Sequence, residues 1–101
     1  MTRSATGETE RLARELERVV RRWQQLPLDR ALEASPGVSA VVQHLADEVA
    51  RHERLPVQPV PDLGPAVLMD QLTVMVHDHQ AAGLSAGALA DQLTDVRRGL
   101  P

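Results

Sequence analysis

The sequence predicts an all-α fold, a four-helix bundle formed by a single domain of residues 1–101. Four segments repeat apolar residues at alternating spacings of four and three, which is the period of one helix face. No segment of useful length alternates apolar and polar residues as a β-strand does. A length of 101 residues suits one domain.

The first helix is predicted over residues 7–26, and residues 1–6 are expected to be disordered. Leu12, Leu16, Val19 and Trp23 follow one another at spacings of 4, 3 and 4, so they form one apolar stripe. A stripe of this kind can face the core of the chain or a second copy of it. These four residues are therefore the predicted interface.

The second helix is predicted over residues 36–53. Ser35 is a favourable N-cap residue and Pro36 is well suited to the first helical position, because proline there loses no helical hydrogen bond. Residues 28–34 then form a short connector of one or two helical turns.

Two further helices are predicted over residues 63–82 and 86–98. Between the second and third helices, residues 54–65 (RLPVQPVPDLGP) contain four prolines, so a proline-rich connector is expected over residues 55–61. Gly83 is expected to end the third helix, and Ser85 is expected to cap the fourth.

Composition excludes several classes of site. The chain has no cysteine, so disulfides, thiolate catalysis and cysteine metal sites are excluded. A net charge of −3 argues against binding to nucleic acid or to an anionic membrane. The N-terminus resembles no secretory signal, and no apolar run has the length of a membrane span. A cytoplasmic location is expected.

The stretch Met75–Gly83 (MVHDHQAAG) contains His77, Asp78 and His79, which together suggest a metal or acid–base site. Residues two apart on a helix point in nearly opposite directions, so His77 and His79 cannot share a ligand there. His79 falls on the apolar stripe near the end of the helix, where a partial positive charge is favourable.

A second histidine set lies in the second helix, where His44, Glu48 and His52 follow one another at intervals of four. Such a row can line one helix face, and His77 is a possible fourth ligand from the next helix. The sequence has neither the ExxH pair of di-metal bundles nor an HExxH motif. We therefore expect no metal and no cofactor, and a metal- or ligand-binding bundle using these four residues is the alternative function.

The first helix also contains five arginines. Four of them can form a stripe along one face that would suit a phosphate backbone, namely Arg11, Arg14, Arg18 and Arg22. Glu10, Glu15 and Glu17 lie among them, and i, i+4 pairs such as Glu17–Arg21 favour a salt-bridged surface. A nucleic-acid-associated regulator is the second alternative. The five arginines are Arg11, Arg14, Arg18, Arg21 and Arg22.

Residues 83–93 (GLSAGALADQL) resemble the first helix of helix-turn-helix domains, with an LAxxL-like core. The resemblance implies a short turn and a recognition helix after Leu93. Only eight residues follow Leu93, which are too few for that helix.

No GxSxG, P-loop or GxGxxG motif is present, so no catalytic residues are assigned. The function expected from these observations is that of a small non-catalytic protein that acts by protein–protein interaction, as an accessory or regulatory factor. A homodimer is the expected assembly, with an unknown protein as a further partner.

Overall fold

The computed structural model describes the backbone of residues 2–101 and the side chains of residues 7–101. These residues form four α-helices and no β-strand. The helices are α1 (Thr2–Gln24), α2 (Leu28–His52), α3 (Pro65–Ala81) and α4 (Ala86–Gly99). The predicted all-α bundle of four helices is confirmed. α1 begins at Thr2 and ends at Gln24, whereas the sequence predicted this helix over residues 7–26. The predicted disorder of residues 1–6 stays a prediction, because Met1 and the side chains of residues 2–6 lie outside the described part.

The helices pack as two pairs. α1 lies along α4, α2 lies along α3, and α1 meets α3 only over a short stretch. The resulting molecule is flat, with extents of 43 × 32 × 17 Å and a radius of gyration of 13.6 Å.

The buried apolar core lies between the two pairs and receives side chains from all four helices. Its members are Leu12, Val19, Trp23, Ala31, Val38, Val42, Leu45, Leu68, Met69, Leu72, Val76, Leu89, Ala90 and Leu93. Apart from Trp23 and Met69, its members are leucine, valine and alanine, so close helix packing is needed to fill it.

The start of α2 differs from the prediction. The helix begins at Leu28 and continues through Pro36, so residues 28–34 are its first two turns and not a connector. Pro27 precedes the helix, and its carbonyl oxygen accepts a hydrogen bond from Ala31 N at 3.0 Å. Ser35 is not an N-cap, because its hydroxyl donates back to the Ala31 carbonyl oxygen at 2.7 Å.

Burial explains why the helix tolerates Pro36. Ala31 lies in the core seven residues before Val38, so a continuous helix keeps both side chains on the same buried face. Pro36 itself is exposed, so the disturbance that its ring causes falls on the solvent side. The prediction relied on the preference of proline for the first turn of a helix, whereas the burial of Ala31 depends on the packing of the whole chain.

The other helix ends follow local chemistry. Gly64 precedes α3 with φ of +89°, and Pro65 is its first residue, where a missing N–H costs nothing. Gly83 follows α3 with φ of +82°, a backbone conformation that favours glycine. Ser85 caps α4 as predicted, since its hydroxyl accepts from Ala88 N at 3.1 Å.

Residues 53–64 join α2 to α3 without regular secondary structure. Gln43 of α2 holds this segment by two hydrogen bonds, one donated to the Gln58 carbonyl oxygen and one accepted from Val60 N. Gln71 of α3 donates a third to the Pro61 carbonyl oxygen at 2.9 Å. The segment is therefore tied to both helices that it connects.

Substitution of Pro36 tests the continuity of α2. Pro36→Ala is expected to raise the free energy of unfolding by about 1–2 kcal/mol, because it restores the N–H that can bond the Leu32 carbonyl oxygen. Urea denaturation measures it, with Gly37→Ala as a neighbouring exposed control that is expected to gain about 0.5–1 kcal/mol from helix propensity alone. A Pro36→Ala variant no more stable than the parent protein would show that the helix starts at Pro36.

Candidate functional site

An open groove lies between α1 and α3 and is named here the α1/α3 groove. It exists because these two helices meet only briefly, and its volume is about 620 Å³. Its apolar walls are formed by Leu12, Ala13, Leu16, Val20 and Val76. Its polar lining is formed by Thr9, Glu17, Arg21, Gln24, Thr73, His77 and Gln80.

The groove continues past the C-terminal end of α1. A second hollow of about 400 Å³ shares Val20, Gln24 and Thr73 with it and extends to Leu28. Between Thr9 and Gln24, α1 rises about 22 Å at 1.5 Å per residue. The wall is therefore about four helical turns long, a length that suits an amphipathic helix.

Trp23 lines the second hollow, next to the C-terminal end of the groove. Its ring is buried, and its Nε1 donates a hydrogen bond to the Pro65 carbonyl oxygen at 3.1 Å. The contact fixes the C-terminal end of α1 against the N-terminal end of α3, so the two helices run antiparallel. The tryptophan satisfies its only polar atom within the chain, as buried tryptophans usually do.

The predicted interface residues have different positions. Leu12, Val19 and Trp23 are buried in the core of the chain itself. Leu16 is half-buried and faces the α1/α3 groove. An interface on this side of α1 therefore depends on Leu16 and on the groove residues Ala13 and Val20, which were not among the predicted interface residues.

The predicted histidine row is split by the structure. His44 and His52 are exposed on α2, and His77 is exposed on the opposite wall of the α1/α3 groove from Leu16. The histidine that Glu48 does meet is His79, whose Nε2 lies 3.3 Å from Glu48 Oε1, whereas His44 Nε2 lies 4.0 Å from the same oxygen. Among the described residues, no group of three histidines or carboxylates is arranged to hold a metal ion.

His79 is a core residue, with 1% of its surface exposed. Its Nδ1 lies 3.1 Å from Gln80 Nε2, and its Nε2 lies on the side of Glu48. Glu48 Oε1 is itself buried and accepts no hydrogen bond of good geometry in the described structure. The contact joins α3 to α2 inside the helix pair, away from the α1/α3 groove.

A second polar contact was not predicted and lies between α1 and α4. Glu15 is 6% exposed, and its Oε2 accepts a hydrogen bond from Arg97 Nε at 3.0 Å, while Arg18 Nη1 lies 3.3 Å from Oε1. The hydrogen bond from Arg97 holds the pKa of Glu15 below its usual value, although burial acts in the opposite direction. Glu15 lies three residues after Leu12 and four before Val19. This helical spacing places it on the buried face of α1.

Most arginines of α1 are engaged within the chain. Arg11 contacts Glu8 and Asp91, each at 2.9 Å, and hydrogen bonds from its guanidinium to these carboxylates raise its pKa. Arg21 pairs with Glu17 at 2.9 Å, and Arg22 donates to the Pro101 carbonyl oxygen. The arginine stripe is thus a salt-bridged surface over much of its length, which favours that interpretation over a phosphate-binding face.

α4 extends without a break through Leu93 to Gly99. The turn and recognition helix that the helix-turn-helix resemblance implies after Leu93 are therefore missing from the described residues. No described helix has both the length and the apolar character needed to cross a membrane.

Comparisons with protein-family models, with curated proteins and with solved structures found no match. The function of the α1/α3 groove must therefore be inferred from its own geometry.

Loss of the Arg97 side chain is expected to destabilise the fold by about 2 kcal/mol, because Arg97→Met leaves the Glu15 carboxylate buried without its main partner. Arg98→Met is the matched control, since Arg98 is the exposed neighbour on the same helix, and it is expected to change little. Urea denaturation measures the free energy of unfolding of both variants. Equal decreases would contradict a special role for the Glu15–Arg97 contact.

The same contact predicts a pH dependence. Because the pKa of Glu15 is lower in the folded chain than in the unfolded chain, its stabilising contribution is present above about pH 4.5 and is lost as the pH falls through the folded value. Unfolding free energies measured from neutral to acidic pH should therefore fall less steeply in Glu15→Gln than in the parent protein. Parallel curves would contradict this assignment.

Because the histidines do not converge on one site, we expect metal ions to leave the stability of the protein unchanged. Neither zinc ions nor a chelator is expected to shift the melting temperature of protein prepared without a histidine tag, because no three ligands converge. A zinc-dependent rise that disappears in His79→Gln or His44→Gln would instead establish a metal site at Glu48.

Proposed function

We propose that this chain is a small cytoplasmic, non-catalytic accessory or regulatory protein that acts by binding protein, and that the α1/α3 groove is its binding surface. The observation that supports the proposal best is the apolar wall formed by Leu16, Val20 and Val76 along an open groove. A second copy of the chain and an unrelated protein are both possible occupants.

The dimensions of the groove favour a helical ligand. Its length of about four turns and its apolar walls bordered by polar side chains match the way in which amphipathic helices dock, with apolar residues at spacings of three and four. Ala13 and Thr73 are small side chains on the two walls, so the backbone of a docked helix can approach closely.

The energetics also favour an occupied groove. Leu16 and Val20 are half-buried in the single chain. Covering an apolar side chain stabilises a complex by about 25 cal/mol per Å² removed from water, before the entropic cost of association. The groove therefore offers a contiguous apolar strip that a bound helix could cover. Other large apolar side chains are exposed elsewhere on the chain: Leu28, Leu32, Leu55, Val57, Leu63 and Val74.

A chemical function finds less support in the described residues. His79 and Glu48 are in contact, but they lie inside the α2–α3 pair, and His77 stands alone on the groove wall. Neither the metal-binding alternative nor the nucleic-acid alternative has a group of side chains converging on an open surface.

A bulky, charged side chain in the groove should abolish binding without harming the fold. Ala13 is exposed and lines the groove, so Ala13→Arg fills it, whereas Ala88→Arg places the same side chain at an exposed site on α4 outside it. In capture from a lysate of the source organism followed by mass spectrometry, the parent protein and Ala88→Arg should retain the same partner, and Ala13→Arg should lose it.

Circular dichroism and melting temperature confirm that both variants are folded. Retention of the partner by Ala13→Arg at the same yield would show that binding occurs elsewhere on the chain. Absence of any specific protein with the parent chain, together with a monomer in solution, would contradict the proposed function as a whole.

A further inference from the structure

One flank of α1 bears a regular row of charges beside the groove. Glu10, Arg14, Glu17 and Arg21 follow at spacings of 4, 3 and 4, and all four side chains are exposed. At 100° per residue they fall within about 60° of one another around the helix axis, next to the groove-facing residues. Glu17 and Arg21 themselves line the groove.

The signs of this row alternate, and the row has a symmetry of its own. Read from the other end, it becomes Arg, Glu, Arg, Glu at the same spacings of 4, 3 and 4. Consider two such helices placed antiparallel, with the two-fold axis midway between Arg14 and Glu17. Glu10 of one helix then lies opposite Arg21 of the other, and Arg14 lies opposite Glu17. A two-fold axis repeats both pairs, so every charge in the row meets its opposite.

Antiparallel helices related by a two-fold axis bring the same flank of each helix together, since residue i then contacts j and j contacts i. Parallel helices bring different flanks together, and this row would not meet itself. The alternation of sign therefore selects the antiparallel arrangement, in which interhelical ion pairs define both the partner and its register.

The apolar side chains of α1 fit the same alignment to within about two residues. Ala13 lies opposite Arg18 of the other helix and about 3 Å along the axis from its Val20, so a small side chain is close to a larger one. Leu16 lies near the centre of the contact. Ala13, Leu16 and Val20 line the α1/α3 groove and are at most half-buried in the single chain. A second copy of α1 would therefore cover the part of the wall that remains open.

We propose that the occupant of the α1/α3 groove is a second copy of this chain, in an isologous dimer in which α1 packs antiparallel on α1 and the Glu10–Arg21 and Arg14–Glu17 pairs set the register. This inference rests on the proposed function, because it names the partner of the groove assigned there. The intrachain Glu17–Arg21 pair is exposed on both sides and contributes little, so its exchange for interchain pairs costs little.

A charge swap tests the register. Size-exclusion chromatography with light scattering over the micromolar range should give twice the chain mass for the parent protein. Arg14→Glu and Glu17→Arg each place like charges opposite one another twice per dimer, and each should raise the dissociation constant about ten-fold or more. The double variant restores opposite charges and should return to within about three-fold of the parent value.

The control is Arg51→Glu, which reverses an exposed charge on α2 outside the groove and should leave the dissociation constant unchanged. Ala13→Arg should give a monomer. Circular dichroism shows whether each variant is folded, so that loss of the dimer is not mistaken for unfolding.

Three outcomes overturn the inference. A parent chain that is monomeric at every concentration removes the dimer but leaves the groove as a site for another protein, which the capture experiment decides. A dimer that Ala13→Arg leaves intact uses another face. A dimer that Ala13→Arg abolishes, but in which the double charge variant is no tighter than the single variants, uses the groove in a different register.

Discussion

The packing of α1 on α4 is the contact on which the rest of the structure depends, because it brings the two ends of the chain together. Its apolar part comes from residues such as Leu12, Val19 and Leu93, and a buried carboxylate, Glu15, lies beside them. Arg97 compensates that charge from the opposite helix at 3.0 Å. A buried carboxylate left without a partner would oppose the association of these helices, so the ion pair favours the alignment in which Arg97 reaches Glu15.

Because α1 packs along α4 and α2 packs along α3, only a short contact between α1 and α3 remains to join the two pairs on that side. Trp23 makes that junction at one end, through its buried ring and its hydrogen bond to the Pro65 carbonyl oxygen. Further along, the two helices separate and leave the α1/α3 groove. The groove is thus a consequence of the pairing of the helices.

Much of the fold follows from local rules that the sequence displays. The four apolar stripes, Gly83 just after α3 and Ser85 as the cap of α4 agree with the prediction, since each depends on residues close in sequence. The prediction that α2 starts at Pro36 was wrong. The preference of proline for a helix start is outweighed by the burial of Ala31, which lies seven residues before Val38 on the same helix face. The cost of an exposed proline within a helix is a few kcal/mol, which core packing can exceed.

The sequence by itself determined the helical class, most helix ends and the separation of His77 from His79, because these depend on backbone preferences and on the angular period of one helix. Only the tertiary structure decided that Leu12, Val19 and Trp23 are core while Leu16 faces a groove, that Glu48 meets His79, and that Arg97 meets Glu15. Those outcomes depend on which helices become neighbours and in what alignment. A stripe in the sequence shows that a helix has a face to bury, whereas the partner that covers it is selected by the packing of the whole chain.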